Sequence, residues 1–276
     1  MVFINLDAAS DRRAFMEAQA RRYGLRLERL RATEPTDFAP GQYERLSGQW
    51  ERILTPNELA AFLSHKRAWA RAATEPEGLI VFEDDAVLSP RFREVAERLP
   101  ADLDLINLED VGRRKFFRRA GPVMTGRNFT VSRVARERSG AGAYHLSPEG
   151  AERLLALAET RAAPVDAFMY GVARLDIGQV EPALTTQAHL LAEMGVDPGI
   201  QTITSIDKRR TLHAVGAARL RHGWRRLATQ TAMAGFHLRR LTDLSLRKTA
   251  FDLNEFETAA DPPPEQGQSA RDQTAS

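Results

Sequence analysis

Three consecutive acids, Glu83, Asp84 and Asp85, follow directly on an apolar run in the segment GLIVFEDDAVLSP. Leu79, Ile80, Val81 and Phe82, bounded by Gly78 and Pro90, predict a buried strand, central in a parallel sheet. Three carboxylates side by side at the end of such a strand repel one another, and a cation relieves that repulsion. Along an extended chain Glu83 and Asp85 point to one side and Asp84 to the other. An acid-x-acid pair of this kind can share one Mn²⁺ or Mg²⁺, hard ions that take oxygen ligands and bridge to a diphosphate.

The elements around this strand predict what else reaches its end. VFINLD reads as a first buried strand ending at Asp7, and SDRRAFMEAQARRYG as a helix capped by Ser10 or Asp11 and stopped by Gly24. LRLERLRAT alternates apolar and polar residues, as a half-exposed strand does. TPNE (Thr55 to Glu58) is a capping box with proline at the first helical position, opening the helix LAAFLSHKRAWARAA. A helix over about 90–99 and the strand LDLINLE follow, then the strand GAGAYHLS, the Ser147-capped helix SPEGAERLLALAET and a short helix in APVDAFMYGVAR. Strands alternating with helices predict an α/β sheet, whose ligands bind beyond the carboxyl ends of its parallel strands. Asp7, the Glu83 to Asp85 triplet, and Glu109 with Asp110 all fall at that end.

The chain has 276 residues, 43% of them hydrophobic, and no cysteine, which excludes disulfides, thiolate metal sites and a cysteine nucleophile. An acid at Asp7 argues against a secretory leader, and no apolar run is long enough to span a bilayer. These features predict a cytoplasmic protein. The net charge of +2 is unevenly spread: residues 206–250 carry eleven Lys or Arg against two acids, and residues 251–276 six acids against one Arg. The expected division is therefore a main domain over 1–205, a basic amphipathic helical extension over 206–250 and a disordered tail over 251–276.

A phospho-receiver module is one reading of IVFEDDAVL followed by DLDLINLED. It places Glu109 where the acceptor aspartate belongs and lacks the Lys-Pro pair that should follow. The words FINLDAASDRRAFM, LTPNELAAFLSHKRAW, LIVFEDDAVLSPRF, DLINLE, GAYHLSPEGAERLL and PVDAFM, in this order, resemble glycosyltransferase family 25, the lipooligosaccharide and lipopolysaccharide transferases that also include collagen galactosyltransferases. The resemblance covers about residues 2–190. It implies a GT-A-like, Rossmann-type mixed sheet flanked by helices. It also implies inverting transfer of a hexose, galactose from UDP-galactose, to a saccharide of a surface glycolipid; a nucleotide-sugar-binding protein without activity is the other outcome.

On that resemblance, Asp85 is the first metal ligand and Glu83 assists through the metal or the ribose, with Asp84 orienting the loop. Asn5 is placed to read the uracil edge, and Asp7 to orient Arg12 or Arg13, whose charge in a first helical turn opposes the helix dipole and suggests an anion nearby. Ser64 and His65 are candidates for donor phosphate or sugar, and Tyr144 for stacking on a sugar face; the plain alternative for each is packing. Inversion needs one base for the acceptor hydroxyl; Asp166 is the first candidate, Glu109 or Asp110 the second. RRKFFRR (Arg113 to Arg119) reads as a loop for an anionic acceptor or as a solvated loop over two buried aromatics, and no nucleic-acid motif accompanies it. Residues 211–248 place Leu220, Trp224 and Leu227 on one face of a basic helix, suited to an anionic membrane surface at the inner face of the cell membrane.

Overall fold

The structure, a computed structural model, describes residues 1–137, 140–201 and 217–260, with the side chains of 217–223, 226–228 and 258–260 excepted. In chain order, strand β1 (Val2–Asn5) leads into helix α1 (Ser10–Tyr23) and strand β2 (Glu28–Arg31). Helices α2 (Gln42–Ser47) and α3 (Pro56–Ala72) precede β3 (Leu79–Glu83), β4 (Ala86–Leu88), the short helix α4 (Phe92–Ala96) and β5 (Leu105–Asn107). A long hairpin, β6 (Arg114–Thr125) and β7 (Thr130–Arg136), is followed by β8 (Ala143–Leu146), α5 (Pro148–Ala158) and α6 (Val165–Ala167), the last running into a π-helical turn, Phe168–Val172. Strands β9 (Ile177–Glu181) and β10 (Thr185–Gln187), helices α7 (Ala188–Glu193) and α8 (Ala217–Leu238), strand β11 (Leu244–Lys248) and helix α9 (Leu253–Ala260) complete the described chain.

Local chemistry sets most of these boundaries. At α3 the Thr55 hydroxyl accepts from the Glu58 N–H at 3.2 Å, and the Glu58 carboxylate accepts from the Thr55 N–H at 2.9 Å, the reciprocal capping box expected there. Ser147 caps α5 by accepting from the Gly150 N–H at 3.0 Å. Gly24 ends α1 at φ +62°, a left-handed conformation that favours glycine. The expected cap of α1 differs. Ser10 is already the first helical residue, and the capping position is Ala9, which has no side-chain acceptor to offer.

Nine strands form one mixed sheet in the order β11-β6-β7-β9-β5-β8-β3-β1-β2, with β4 and β10 paired separately. Strands β2, β1 and β3 run parallel, as do β5 and β9; β8 enters antiparallel between β3 and β5. The carboxyl ends of β1, β3, β5 and β9 therefore share an edge with the amino end of β8. Side-chain parity divides the core. Val2, Ile4, Leu79 and Val81 pack on Phe62 and Trp69 of α3, whereas Phe3, Ile80 and Phe82 pack on Met16 and Phe92 across the sheet. Burial of each such side chain is worth roughly 1.5–3 kcal/mol. A one-residue slip of β3 would exchange the faces and turn Glu83 away from α3.

The predicted division of the chain needs correction near its end. β11 lies inside the expected helical extension, yet it pairs antiparallel with β6, and Arg247 forms a bidentate pair with Glu181. Helix α9 lies inside the expected disordered tail, yet Phe256 is fully buried with Val87 and Leu191, and Glu255 accepts from Ser89 and Arg91. The decisive signal is apolar: Leu244, Leu246, Phe251 and Phe256 are enough to dock a basic strand and an acidic helix. RRKFFRR opens β6 and is no loop; Phe116 and Phe117 are buried, and Lys115 is buried against Glu137 and Gln179. The remainder of the expected tail, 261–276, and residues 211–216 lie outside the described residues. Among the described residues no helix is long and apolar enough to cross a membrane.

Candidate active site

The acids at the shared edge fall into two electrostatic settings. On the β1–β2 side, every acid has a basic or amide partner. Asp84 accepts from the Asn5 amide at 2.8 Å and from Arg12 at 3.1 Å. Burial nevertheless pushes its carboxyl above the usual range, with those two bonds opposing. Asn5 is buried and uses its whole amide within the protein: Nδ2 donates to Asp84 and to the Ala9 carbonyl, and Oδ1 accepts from Arg29 Nε at 2.8 Å. That leaves nothing to read a base, so the expected uracil contact is replaced by a structural junction.

Asp7 is held by Arg29 and by Arg31, the latter at 2.7 Å, and not by Arg12 or Arg13. The bond from Arg29 is the first cause holding the Asp7 carboxyl below its ordinary range. Arg13 turns to Glu17 one helical turn on, at the surface. Arg29 and Arg31 are not among the residues expected from the sequence. Their two-residue spacing puts both on one face of β2, and only the parallel register with Phe3 and Asn5 brings that face to Asp7.

On the β3–β5 side the acids lack such partners. Asp85 Oδ1, Glu109 Oε1 and Asp110 Oδ1 are buried without a hydrogen-bond partner among the described residues. Burial, then the neighbouring Glu83 charge, pushes the Asp85 carboxyl up to about 7. The same two causes, in the same order, raise Glu109 and Asp166. Asp110 is raised by burial alone, against nearby Lys115 and Lys248. Glu83, Asp85, Glu109 and Asp166 thus share one electrostatic neighbourhood, with Arg113 among the groups that oppose the rise at Asp166.

Glu109 sits behind β8. Its Oε2 accepts from the Gly142 N–H at 3.0 Å, and a Cβ on Gly142 would stand 2.4 Å from Oε1. A side chain at Gly142 would have to push the Glu109 carboxylate aside. Asp166 stands in the first turn of α6, beside the π-helical turn, a feature common at functional sites.

Helix α3 supplies the wall facing Glu83. His65 Nε2 lies 3.5 Å from Glu83 Oε1, and its Nδ1 lies 2.9 Å from the Tyr144 hydroxyl, whose oxygen accepts from Trp69 Nε1 at 2.9 Å. Tyr144 is fully buried, so the expected stacking on a sugar gives way to a core role, set by its position on a strand paired on both sides. Ser64 is likewise spent inside, donating to the Ala60 carbonyl and accepting from the Thr33 N–H, each at 2.8 Å. Trp69 is a further residue that the expected site does not include. Its spacing of four residues from His65 is the clue to a shared partner.

The donor chemistry suits a hard divalent ion, all carboxylate oxygen and no thiolate. Among the described residues no three His, Asp or Glu side chains stand together as a ready ligand group. The buried, unpartnered Asp85 oxygen with Glu83 beside it matches the other arrangement, one or two carboxylates with further positions left to water and substrate phosphate.

A mixed sheet flanked by helices, with buried, unpartnered carboxylate oxygens where its parallel strands end, defines an α/β protein with a candidate site at that edge. The chain belongs to glycosyltransferase family 25 (LPS biosynthesis protein), whose family model matches residues 1–169. That span contains every candidate site residue at this edge, and membership displaces the receiver-like reading. The chain is 34% identical over 142 residues to a rat (Rattus norvegicus) protein named probable inactive glycosyltransferase 25 family member 3, covering 48% of this chain and 23% of that protein. It is 27% identical over 183 residues to a glycosyltransferase 25 family member of Drosophila pseudoobscura pseudoobscura, covering 60% of this chain and 28% of that protein. The chain thus spans about a quarter of the length of the curated relatives it matches.

Proposed function

We propose that the chain is a metal-dependent inverting glycosyltransferase of GT-A type. It moves a hexose, galactose from UDP-galactose, to a saccharide acceptor of a lipopolysaccharide, lipooligosaccharide or other surface glycan, on the cytoplasmic side of the membrane. The observation that carries this reading is the buried, unpartnered Asp85 oxygen beside Glu83 at the parallel-strand edge. Such a pair is costly unless a ligand completes it.

Asp85 and Glu83 are the residues to hold Mn²⁺ or Mg²⁺; the ion, when bound, supplies positive charge to the departing diphosphate. Asp166 takes the proton of the acceptor hydroxyl as that oxygen bonds to the anomeric carbon and the bond from that carbon to UDP breaks. Burial and the Glu83 charge raise its proton affinity, which makes it a stronger base than an exposed carboxylate. Glu109, sealed behind Gly142, and Asp110, in the loop after β5, are less well placed to meet an acceptor. Arg12 stands next to Asp84, where it can face the diphosphate.

The test is UDP release from a panel of UDP-sugars with Mn²⁺, with and without acceptor glycans. Release only with UDP-galactose plus acceptor supports the full reading. Binding of UDP-sugar with no release under any condition makes the protein a nucleotide-sugar binder.

A membrane-facing surface is a second element of the proposal. Trp224, Leu238 and Leu241 are 71%, 68% and 83% exposed, beside exposed Arg239 and Arg240. Another side of α8 is fixed to the domain, because Arg225 donates to the carbonyls of Gly48 and Trp50. The side chains of Leu220 and Leu227, expected on the same face as Trp224, lie outside the described residues. Co-sedimentation with anionic vesicles that weakens with salt and is lost in a Trp224→Ser, Leu241→Ser double variant supports this surface. Equal sedimentation of wild type and variant removes it.

A further inference from the structure

We infer that Trp69 and Tyr144 are positioning residues for the transfer proposed above: they fix His65 in the tautomer whose Nε2 proton faces Glu83. The inference rests on that functional reading for its purpose and on geometry for its substance. An indole N–H only donates, so the Tyr144 oxygen accepts from Trp69 at 2.9 Å. The same oxygen lies 2.9 Å from His65 Nδ1. Among the described residues these are the two hydrogen bonds of the Tyr144 hydroxyl, and the side chain is fully buried. If Nδ1 carried a proton, the phenol's own proton would be left unpaired in the core, a costly arrangement. The phenol therefore donates to Nδ1, and the imidazole proton sits on Nε2, 3.5 Å from Glu83 Oε1. Burial pushes the Tyr144 phenol far above its ordinary range, so it remains a donor at any working pH.

Glu83 matters because its charge raises Asp85, Glu109 and Asp166 alike. A lone pair aimed at its carboxylate would drive it away from the α3 wall, whereas an N–H holds it there. The same aromatic layer reaches the base, since Trp69 stacks on Phe168 with centroids 5.5 Å apart, two residues beyond Asp166. One chain of contacts thus orients both the second metal ligand and the helix that carries the base.

The experiment is imidazole ¹⁵N NMR of the full chain at pH 8, with His65 assigned by signals lost in His65→Gln, alongside steady-state kinetics. Wild-type His65 is expected as the neutral Nε2–H tautomer. Tyr144→Phe should lose that single tautomer and lower kcat about tenfold, with the UDP-sugar KM within about twofold. Trp69→Phe, which keeps a ring against Phe168, should move both readouts the same way and serves if Tyr144→Phe does not fold. A wild-type Nδ1–H tautomer, or variants with unchanged tautomer and kcat, overturns the inference. A wild type that releases no UDP overturns the transfer reading, and the catalytic purpose with it, while the tautomer is still read directly.

Discussion

Two stretches of one sheet edge both carry acids and treat them in opposite ways. On the β1–β2 side, Asp7 is bound by Arg29 and Arg31, and Asp84, just past β3, by Asn5 and Arg12. At the ends of β3 and β5 and on α6, Asp85, Glu109 and Asp166 all feel the charge of Glu83, and buried oxygens on Asp85 and Glu109 have no partner among the described residues. Every acid of the first stretch has a side-chain partner within the protein; the second leaves buried oxygens unpaired among the described residues. Acid content alone does not mark a site. The distinguishing property is unneutralised charge under burial, which costs stability and is retained where a ligand uses it.

The largest expected effect tests the second stretch. Asp85→Asn keeps the shape and removes the charge. Turnover should fall at least about a hundredfold, on the order of 3 kcal/mol of transition-state stabilisation, while the fold survives. The same substitution should raise the melting temperature in metal-free buffer at pH 8 by a few degrees, about 1–2 kcal/mol. Mn²⁺ should stabilise wild type and not the variant. Near-normal turnover, or no gain in stability, breaks the contrast between the two stretches.

Asp166→Asn comes next, with a loss of about a hundredfold in kcat and little change in UDP-sugar affinity, because a missing base is felt only in the transition state. Equal collapse of donor affinity would make Asp166 a donor-site residue and extend the ligand-completed stretch to α6 for a different reason.

Much of this edge is legible in the amino-acid sequence. The apolar run LIVF ending in acids, the helix caps at Thr55 and Ser147, and acids at three strand ends follow from patterning and local hydrogen bonding. The unreadable part is long-range. Nothing local says that β8 runs antiparallel between β3 and β5, and that insertion is what seals Glu109 behind Gly142 and buries Tyr144 beside His65. Pairing of Asp7 with β2 arginines depends on a parallel register that sequence spacing alone does not fix. The docking of β11 and α9 is hidden because their charge pattern reads as solvent-loving while a few apolar residues decide the outcome.

The smallest expected effect comes from Asp7→Asn, and its value lies in the sign of its pH dependence. Asp7 has a carboxyl held below its ordinary range by Arg29 and Arg31. Its contribution to stability is present above the unfolded value of about 3.9 and is lost as pH falls through the lower folded value. Asp85 is the reverse. With a folded value of about 7, the native state holds a proton that the unfolded state has released, so stability declines as pH rises from about 4 to 7 and is level beyond. Melting curves from pH 3 to 8 should therefore separate the variants. Asp7→Asn should differ from wild type mainly at pH 5 and above, slightly, and less in high salt, since the pair is half exposed. Asp85→Asn should match wild type near pH 4 and become the more stable protein toward pH 8. Turnover of Asp7→Asn should stay within about threefold of wild type, as expected for an exposed pair away from the reacting atoms. A hundredfold loss there would move the ligand onto the β1–β2 stretch and show that its arginines pair with Asp7 only until a substrate anion claims them.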